Sequence, residues 1–332
     1  MTNHGNMYGP DFTFLGIERC DLDKPETFKD ADVVIVGAPI DSGTSHRSGA
    51  KFGPQAIRMG DYLPHDGERP HLALRTDGLK DLKVVDAGDL IMNGGDLVGS
   101  LKLLEAATEK ISKAGAIAVV LGGDHSIASA DVAGIANHRG KGKVSMIHFD
   151  AHADTGADQF GALVGHGTPM RRLIENGHVR GDRFLQLGLR GYWPDDATLN
   201  WMRDQGMRSY EMTEIHHRGL KTVLDESFSI LTDNCDGVFL SVDIDVVDPG
   251  MAPGTGTPEP GGMTSRELLE AVRRICLELP IVGIDVVEVA PPFDSADITA
   301  ILANRVVLEA LSAIALRKKG GSYSPTRNLL DR

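Results

Sequence analysis

From residue 32 onward, short apolar runs rich in β-branched residues alternate with amphipathic stretches of helical period. The runs fall at 32–37, 83–87, 116–121, 144–149, 183–189, 238–242 and 281–287. The stretches between them, at 53–62, 96–114, 126–138, 168–176, 194–205, 220–232, 265–279 and 297–315, carry apolar residues at helical spacing. Thr264 or Ser265, followed by Glu267, supplies an N-cap signal for one of them. Strand-helix alternation of this kind predicts an α/β fold, a three-layer α/β/α sandwich around a mostly parallel sheet. The runs lack polar alternation, as expected of a sheet covered on both faces.

Residues 31–320 read as a single domain, because no Pro/Ser-rich linker or compositional break divides them. Residues 1–30 form an N-terminal arm with little structure of its own, and 321–332 a C-terminal tail. Residues 245–262 are too rich in Gly and Pro for helix or strand and form a long loop, which in a compact domain points to function. Ligands of open α/β sheets bind beyond the C-terminal strand ends. The chemistry is therefore sought just after the apolar runs.

Charge narrows the function classes. With 34 Lys+Arg against 47 Asp+Glu, the formal charge of −13 argues against a nucleic-acid binder and against an anionic membrane surface as partner. It leaves cationic substrates, or acids that are metal ligands rather than free charge. Three cysteines, Cys20, Cys235 and Cys276, form no C-x-x-C pair, which fits a reducing compartment. The first residues carry no secretory pattern, so the expected location is cytoplasmic.

Four clusters of reactive residues follow four of the runs. They are Gly-Gly-Asp-His-Ser at 122–126, His-Phe-Asp-Ala-His-Ala-Asp at 148–154, Asp243, Asp245 and Asp248, and Glu288. Asp150, His152 and Asp154 alternate, so extended backbone turns them to one side. Asp243 and Asp245 repeat the alternation on another strand, and His125 sits at a Gly-Gly turn into a helix. A lone histidine at a strand end is commonly structural, and a lone aspartate is commonly a helix cap. Together, however, carboxylates this close repel one another and need a positive partner. The clusters contain no Lys or Arg, which points to a divalent metal such as Mn²⁺, Ni²⁺, Co²⁺ or Zn²⁺. Six ligands exceed what one catalytic ion with an open position takes. They suit two ions about 3.5–4 Å apart that share carboxylates and activate a bridging water.

The motifs at 122–126, 148–154 and 241–249 (Ser-x-Asp-x-Asp-x-x-Asp-Pro) resemble the three signatures of the ureohydrolase family. That family includes arginase, agmatinase, guanidinobutyrase, guanidinopropionase and proclavaminate amidinohydrolase. The resemblance extends from Gly37-Ala38-Pro39 and the Gly-Thr-Ser at 43–45 to the last helix. It implies an eight-stranded sheet, a dinuclear site of the manganese type and trimers or hexamers. It also assigns His125, Asp150, His152, Asp154, Asp243 and Asp245 as metal ligands. His166, in Gly-His-Gly-Thr, resembles the family's proton-shuttling histidine, the other reading being a plain loop histidine. Glu288, in Glu-Val-x-Pro, resembles the carboxylate that binds the substrate guanidinium, the other reading being a buried salt bridge.

The implied reaction is hydrolysis of a guanidino compound to urea and an amine. Glu288 orients the guanidinium, Asp154 takes and passes the proton, and His166 relays protons to solvent. Arginase-like sequences carry polar groups for an α-amino acid after the second motif; residues 155–165 lack them, so arginine is disfavoured. His-Gly-Thr-Pro at 166–169 and the Gly/Pro-rich 254–262 are closer to agmatinase, guanidinobutyrase and proclavaminate amidinohydrolase. Agmatine, giving putrescine, is the favoured substrate. Guanidinobutyrate, guanidinopropionate, free guanidine and a biguanide remain open, as does a non-catalytic assembly role. Asp158 either meets a cationic amine or is a solvated loop acid. Arg190 either binds a substrate carboxylate or pairs with a neighbouring acid. Manganese is the expected ion and nickel the alternative, since both accept this donor set.

Overall fold

A computed structural model describes residues 12–61 and 70–326. Its centre is one sheet of eight strands, all paired in parallel. The strands are β1 (Val33–Ala38), β2 (Val84–Asp89), β3 (Ile117–Gly122), β4 (Val144–Phe149), β5 (Val179–Leu189), β6 (Arg208–Glu211), β7 (Gly237–Asp243) and β8 (Ile281–Val287). The helices are α1 (Gly53–Met59), α2 (Gly78–Asp81), α3 (Leu97–Lys113), α4 (Ala128–Arg139), α5 (Pro169–Glu175), α6 (Asp196–Asp204), α7 (Met212–Arg218), α8 (Leu220–Thr232), α9 (Ser265–Glu278) and α10 (Ile298–Lys318). The three-layer reading therefore holds, and the eighth strand implied by the family resemblance is β6. The periodicity misses β6, a four-residue edge strand with the sequence RSYE, and also the short helices α2 and α7. The end of the first expected helix, at Tyr62, lies outside the described residues, as do parts of the N-terminal arm and C-terminal tail.

The central strands β1, β3, β4, β7 and β8 are buried along almost their whole length, which explains their apolar runs without alternation. One face is covered by α3, α4 and α5, the other by α1, α2, α7, α8, α9 and α10. The start of α9 is a capping box: Thr264 Oγ1 accepts from Glu267 N at 3.2 Å, and Thr264 N donates to Glu267 Oε2 at 2.8 Å. By length and hydropathy alone, the 21-residue α10 could cross a membrane. Most of it is buried in the fold against α9, α1 and α2, so its apolar character belongs to the core. The described part of the arm is docked rather than loose. Asp86 N donates to Glu18 O and Cys20 N to Asp86 O, both at 2.9 Å, while Phe14 N donates to the Asp86 carboxylate at 2.7 Å.

The strand order is β2-β1-β3-β8-β7-β4-β5-β6. The four clusters read from the sequence follow β3, β8, β7 and β4, which are four adjacent strands. Segments as far apart as residues 122 and 288 thus end side by side at one rim of the sheet.

Candidate metal centre

The turn after β3 is forced by close backbone approach. A side chain at Gly123 would come within 2.3 Å of Ile40 O and 2.5 Å of Ala38 O, so only glycine fits. Asp124 then ties two segments together, accepting from Ser126 N at 2.9 Å and from Gly43 N at 2.7 Å. Burial, together with the Glu288 charge, pushes its carboxyl up to about 6. This turn delivers His125, fully buried, to the middle of the rim.

Around His125 the carboxylates converge. Its Nδ1 lies 3.1 Å from Asp150 Oδ2, 3.1 Å from Asp154 Oδ2 and 3.2 Å from Asp243 Oδ2, yet makes no well-aligned hydrogen bond. Its Nε2 is 2.9 Å from Ser241 Oγ. Asp150 straddles two groups. Its Oδ2 faces His125, while its Oδ1 accepts from His152 N at 2.6 Å and lies 3.5 Å from His152 Nδ1. His152 Nδ1 in turn is 3.1 Å from Asp245 Oδ2. Asp243 and Asp245 sit at the end of β7, where a 3-10 turn (Ile244–Val246) bends the chain and Asp245 N donates to Asp243 Oδ1 at 2.8 Å. The structure thus brings His125, Asp150, His152, Asp154, Asp243 and Asp245 together, and Asp150 is shared between two candidate donor groups, one with His125, His148 and Asp154 and one with His152 and Asp245.

The electrostatics follow from packing acids in a dry place. Burial and the neighbouring Asp245 and Asp150 push the Asp243 carboxyl well up, and burial and Asp150 raise that of Asp245. Burial pulls the His125 and His152 imidazoles down, but the carboxylates outweigh it, raising His125 well above its ordinary range and His152 to about 12. A field this negative favours any cation placed in it. The donor set is oxygen-rich with two imidazoles, and the lone-pair position of His125 Nδ1 points among three carboxylate oxygens. These residues fit two divalent ions.

Beside the donor set, Glu288 occupies left-handed backbone (φ 63°), as does Asp154 (φ 52°). Such strain at non-glycine residues concentrates at functional sites. Glu288 Oε1 accepts from His125 N at 2.8 Å and lies 2.9 Å from His166 Nδ1. Its Oε2 is buried without a partner and faces Gly256 of the long loop. When the ring is neutral, His166 Nε2 accepts from Ser45 N at 2.9 Å, which puts the ring proton on Nδ1, toward Glu288. Burial opposes charge on His166, but Glu288 outweighs it and pushes the imidazole up to about 9.

Arg190 and Asp158 stand elsewhere. The Arg190 guanidinium donates to the carbonyls of Glu259, Pro260, Gly188, Val246 and Asp245 at 2.6–3.2 Å, so it stitches the long loop to the end of β5. Neither a substrate carboxylate nor a neighbouring acid is its partner in these bonds. Asp158 is exposed and accepts from Gly161 N at 2.9 Å within its own turn.

Sequence reasoning left His148 without a role. It is fully buried, its Nε2 lies 2.8 Å from Asp150 Oδ2, and its ring meets that of His125 edge-on at 4.9 Å. Gln186 Nε2 donates to Ala153 O at 2.7 Å, which fixes the amide, and lies 3.1 Å from His148 Nδ1. Nδ1 therefore accepts and Nε2–H donates to Asp150, so both ring nitrogens of His148 are engaged and the ring orients the Asp150 carboxylate. The signal was its alternation with Asp150, His152 and Asp154. Ser45 and Ser241 were likewise visible only as motif members.

Comparison with known proteins agrees with this geometry. The Arginase family model matches residues 31–313. The chain is 37% identical over 298 residues to the guanidinobutyrase of Pseudomonas aeruginosa, covering 88% of this chain and 89% of the relative. It is 38% identical over 305 residues to an agmatinase of Cronobacter sakazakii, covering 92% and 94%. The solved proclavaminate amidinohydrolase of Streptomyces clavuligerus superposes with a TM-score of 0.81 at 34% identity, covering 94% of this chain and 100% of that one.

Proposed function

The chain belongs to the arginase family, and on that premise we propose that it is a two-metal hydrolase that splits agmatine into putrescine and urea. The observation that carries this reading is Glu288 Oε2, an unpartnered carboxylate oxygen buried beside a six-residue donor set. A buried anion with a free acceptor favours a planar cation with N–H donors, and a guanidinium has that form.

His125, Asp150, Asp154 and Asp243 would hold one ion, and Asp150, His152 and Asp245 the other. Manganese is the ion we propose, for its acceptance of carboxylate oxygen; nickel is the alternative. Such a pair of ions supplies Lewis acidity and lowers the pKa of water toward neutrality. The remaining steps belong to side chains. Glu288 pairs with the guanidinium and fixes its plane against the donor set. Asp154, at the rim of that set, takes the proton released on attack and returns it to the departing amine. His166, between Glu288 and the exposed Ser45, passes protons between site and solvent.

Agmatine is favoured over guanidino acids because Arg190 is committed to carbonyls. The second reading is a guanidino acid such as guanidinobutyrate. One observation favours it: Arg47 donates to Thr255 O at 2.8 Å through Nη2 and to Gly256 O at 3.3 Å through Nε, and unlike Arg190 it makes no hydrogen bond through Nη1 among the described residues, so a donor remains for a carboxylate beside the loop that faces Glu288. A urea-release panel over agmatine, guanidinobutyrate, guanidinopropionate and free guanidine, with Mn²⁺ and with Ni²⁺, separates them. The reading predicts the highest kcat/KM for agmatine with Mn²⁺. A preference for guanidinobutyrate that Arg47→Ala abolishes would replace agmatine by the second reading.

A further inference from the structure

Between the second cluster and α5, residues 156–167 fold into a closed loop. Gly156 N donates to Gly167 O at 2.9 Å, and inside that closure Gln159 N and Ala162 N donate to each other's carbonyls at 2.8 and 3.0 Å. Phe160 and Gly161, at the tip, both occupy left-handed backbone (φ 53° and 86°), as a two-residue hairpin turn requires. Both backbone groups of Gln159 are used within the loop, so only its side chain reaches out of it. We propose that Gln159 is a positioning residue for His166, its carboxamide holding the segment that carries Ser45 against the ring. The proton relay through His166 rests on the hydrolase reading; the clamp does not.

The carboxamide spans two segments. Gly167 N donates to Gln159 Oε1 at 2.9 Å, and Gln159 Nε2 donates to Gly43 O at 2.8 Å. Both partners are backbone groups with fixed roles, so the amide has one orientation. Gly43 O also accepts from His166 N at 3.0 Å. Residues 43–45 therefore lie along 165–167, held at Gly43 by two donors and reaching the His166 ring with Ser45. Gly165 leaves room for the clamp, since a side chain there would meet the Gln159 carboxamide at 2.7 Å. The chemistry is specific to glutamine. Glutamate would accept from Gly167 but turn only lone pairs toward Gly43 O, and methionine has the length but no donor.

Ser45 matters because it meets the ring in both of its protonation states. Its N lies 2.9 Å from His166 Nε2 and its Oγ 2.6 Å. A neutral ring accepts from the amide N–H, and a charged ring donates to the hydroxyl. In either state Nδ1–H faces Glu288 Oε1, 2.9 Å away. A ring held at both nitrogens keeps its place as it gains and loses a proton, as a relay between site and solvent requires. Gly43 N donates to Asp124 at 2.7 Å, which ties the start of the segment to the turn carrying His125. At its other end, Ser45 is kept on the ring by the bonds to Gly43 O.

The test combines a crystal structure with a double-mutant cycle. Gln159→Met keeps the length of the side chain and removes both hydrogen bonds. Its crystal structure is expected to show Ser45 N and Oγ withdrawn beyond about 3.5 Å from His166 Nε2, outside hydrogen-bond range. With manganese-loaded protein and agmatine, kcat and kcat/KM are expected to fall together by about 10- to 100-fold, the effect of a misplaced proton-transfer group. In a His166→Ala background the same substitution should cost less than about 2-fold, because the ring through which it acts is gone. Ser45 in wild-type contact with the ring in the Gln159→Met structure, or losses that multiply in the double variant, would overturn the proposal. If Gln159→Met does not fold, Gln159→Glu, which removes only the donor to Gly43, carries the same expectations. Wild-type protein that releases no urea from any guanidine overturns the hydrolase reading instead, and the variant's crystal structure then decides the clamp alone.

Discussion

Glu288 and His166 form a buried pair in which one carboxylate oxygen, 2.9 Å from the ring Nδ1, is committed and the other is free. The committed oxygen also accepts from the backbone of His125, so the pair is fixed to the turn that carries His125 into the candidate donor set. The free oxygen, next to Gly256, is the proposed position for a guanidinium. Glu288→Gln keeps the shape but replaces one acceptor by an amide donor and removes the charge. It is expected to lower kcat/KM by about 100- to 1,000-fold, as loss of an aimed charged contact does. Manganese content should stay at the wild-type level, since Glu288 lies outside the donor set. Loss of metal together with activity would count against this placement.

Arg190 is a structural clasp, and its removal should read as instability. Replacing it with alanine leaves the carbonyls of Asp245, Val246 and Glu259 without their donor. The expected cost is about 1–3 kcal/mol. Differential scanning calorimetry should show a lower Tm for Arg190→Ala. A Tm equal to wild type, with KM raised only for carboxylate-bearing guanidines, would instead make Arg190 a substrate residue.

Much of this arrangement was legible because Asp150, His152, Asp154, Asp243 and Asp245 follow apolar runs at strand ends, but extended alternation is not what turns them inward: Asp245 lies in a 3-10 turn and Asp154 in left-handed backbone. The apolar runs likewise marked the central strands. What escaped depended on partners distant in sequence. Arg190 reads as an unclaimed cation until the carbonyls of residues 245, 246, 259 and 260 surround it. His148 is one more histidine in a motif until Gln186, 38 residues on, fixes its tautomer. The edge strand β6 is too short, and its ends too polar, to carry a periodic signal.

Away from the site, acid stability should depend on Glu309. Burial pushes its carboxyl up, but hydrogen bonds from His71 and Arg273 outweigh it and hold it below its usual range. The folded value is depressed, so the stabilisation is fully present above the unfolded value near 4.5 and is lost as pH falls through the folded value. Urea midpoints should show Glu309→Gln weaker than wild type at pH 7 by about 1–3 kcal/mol. The gap should narrow as pH falls below 4.5 and through the depressed folded value. A gap independent of pH would sink this assignment.

The three thiols should differ in reactivity. Burial pushes Cys20 up to about 12, with the charge of Asp86 adding to it, and burial raises Cys276 further. Cys235 is only partly buried. Since the thiolate is the nucleophile, iodoacetamide at pH 8 should modify Cys235 first in the native protein. Peptide mass mapping that finds Cys276 labelled as fast as Cys235 would contradict the packing around α9.

The most direct test is urea production from agmatine by manganese-loaded protein, compared between wild type and Asp154→Asn. Asp154 Oδ2 lies 3.1 Å from His125 Nδ1, and in the proposed reaction Asp154 carries the proton. Wild type should release urea and putrescine in equal amounts. The variant should retain much of its manganese while losing about 100- to 10,000-fold in turnover, the range for removing a positioned general base. No urea from agmatine or any other guanidine, or full activity in Asp154→Asn, would contradict the account.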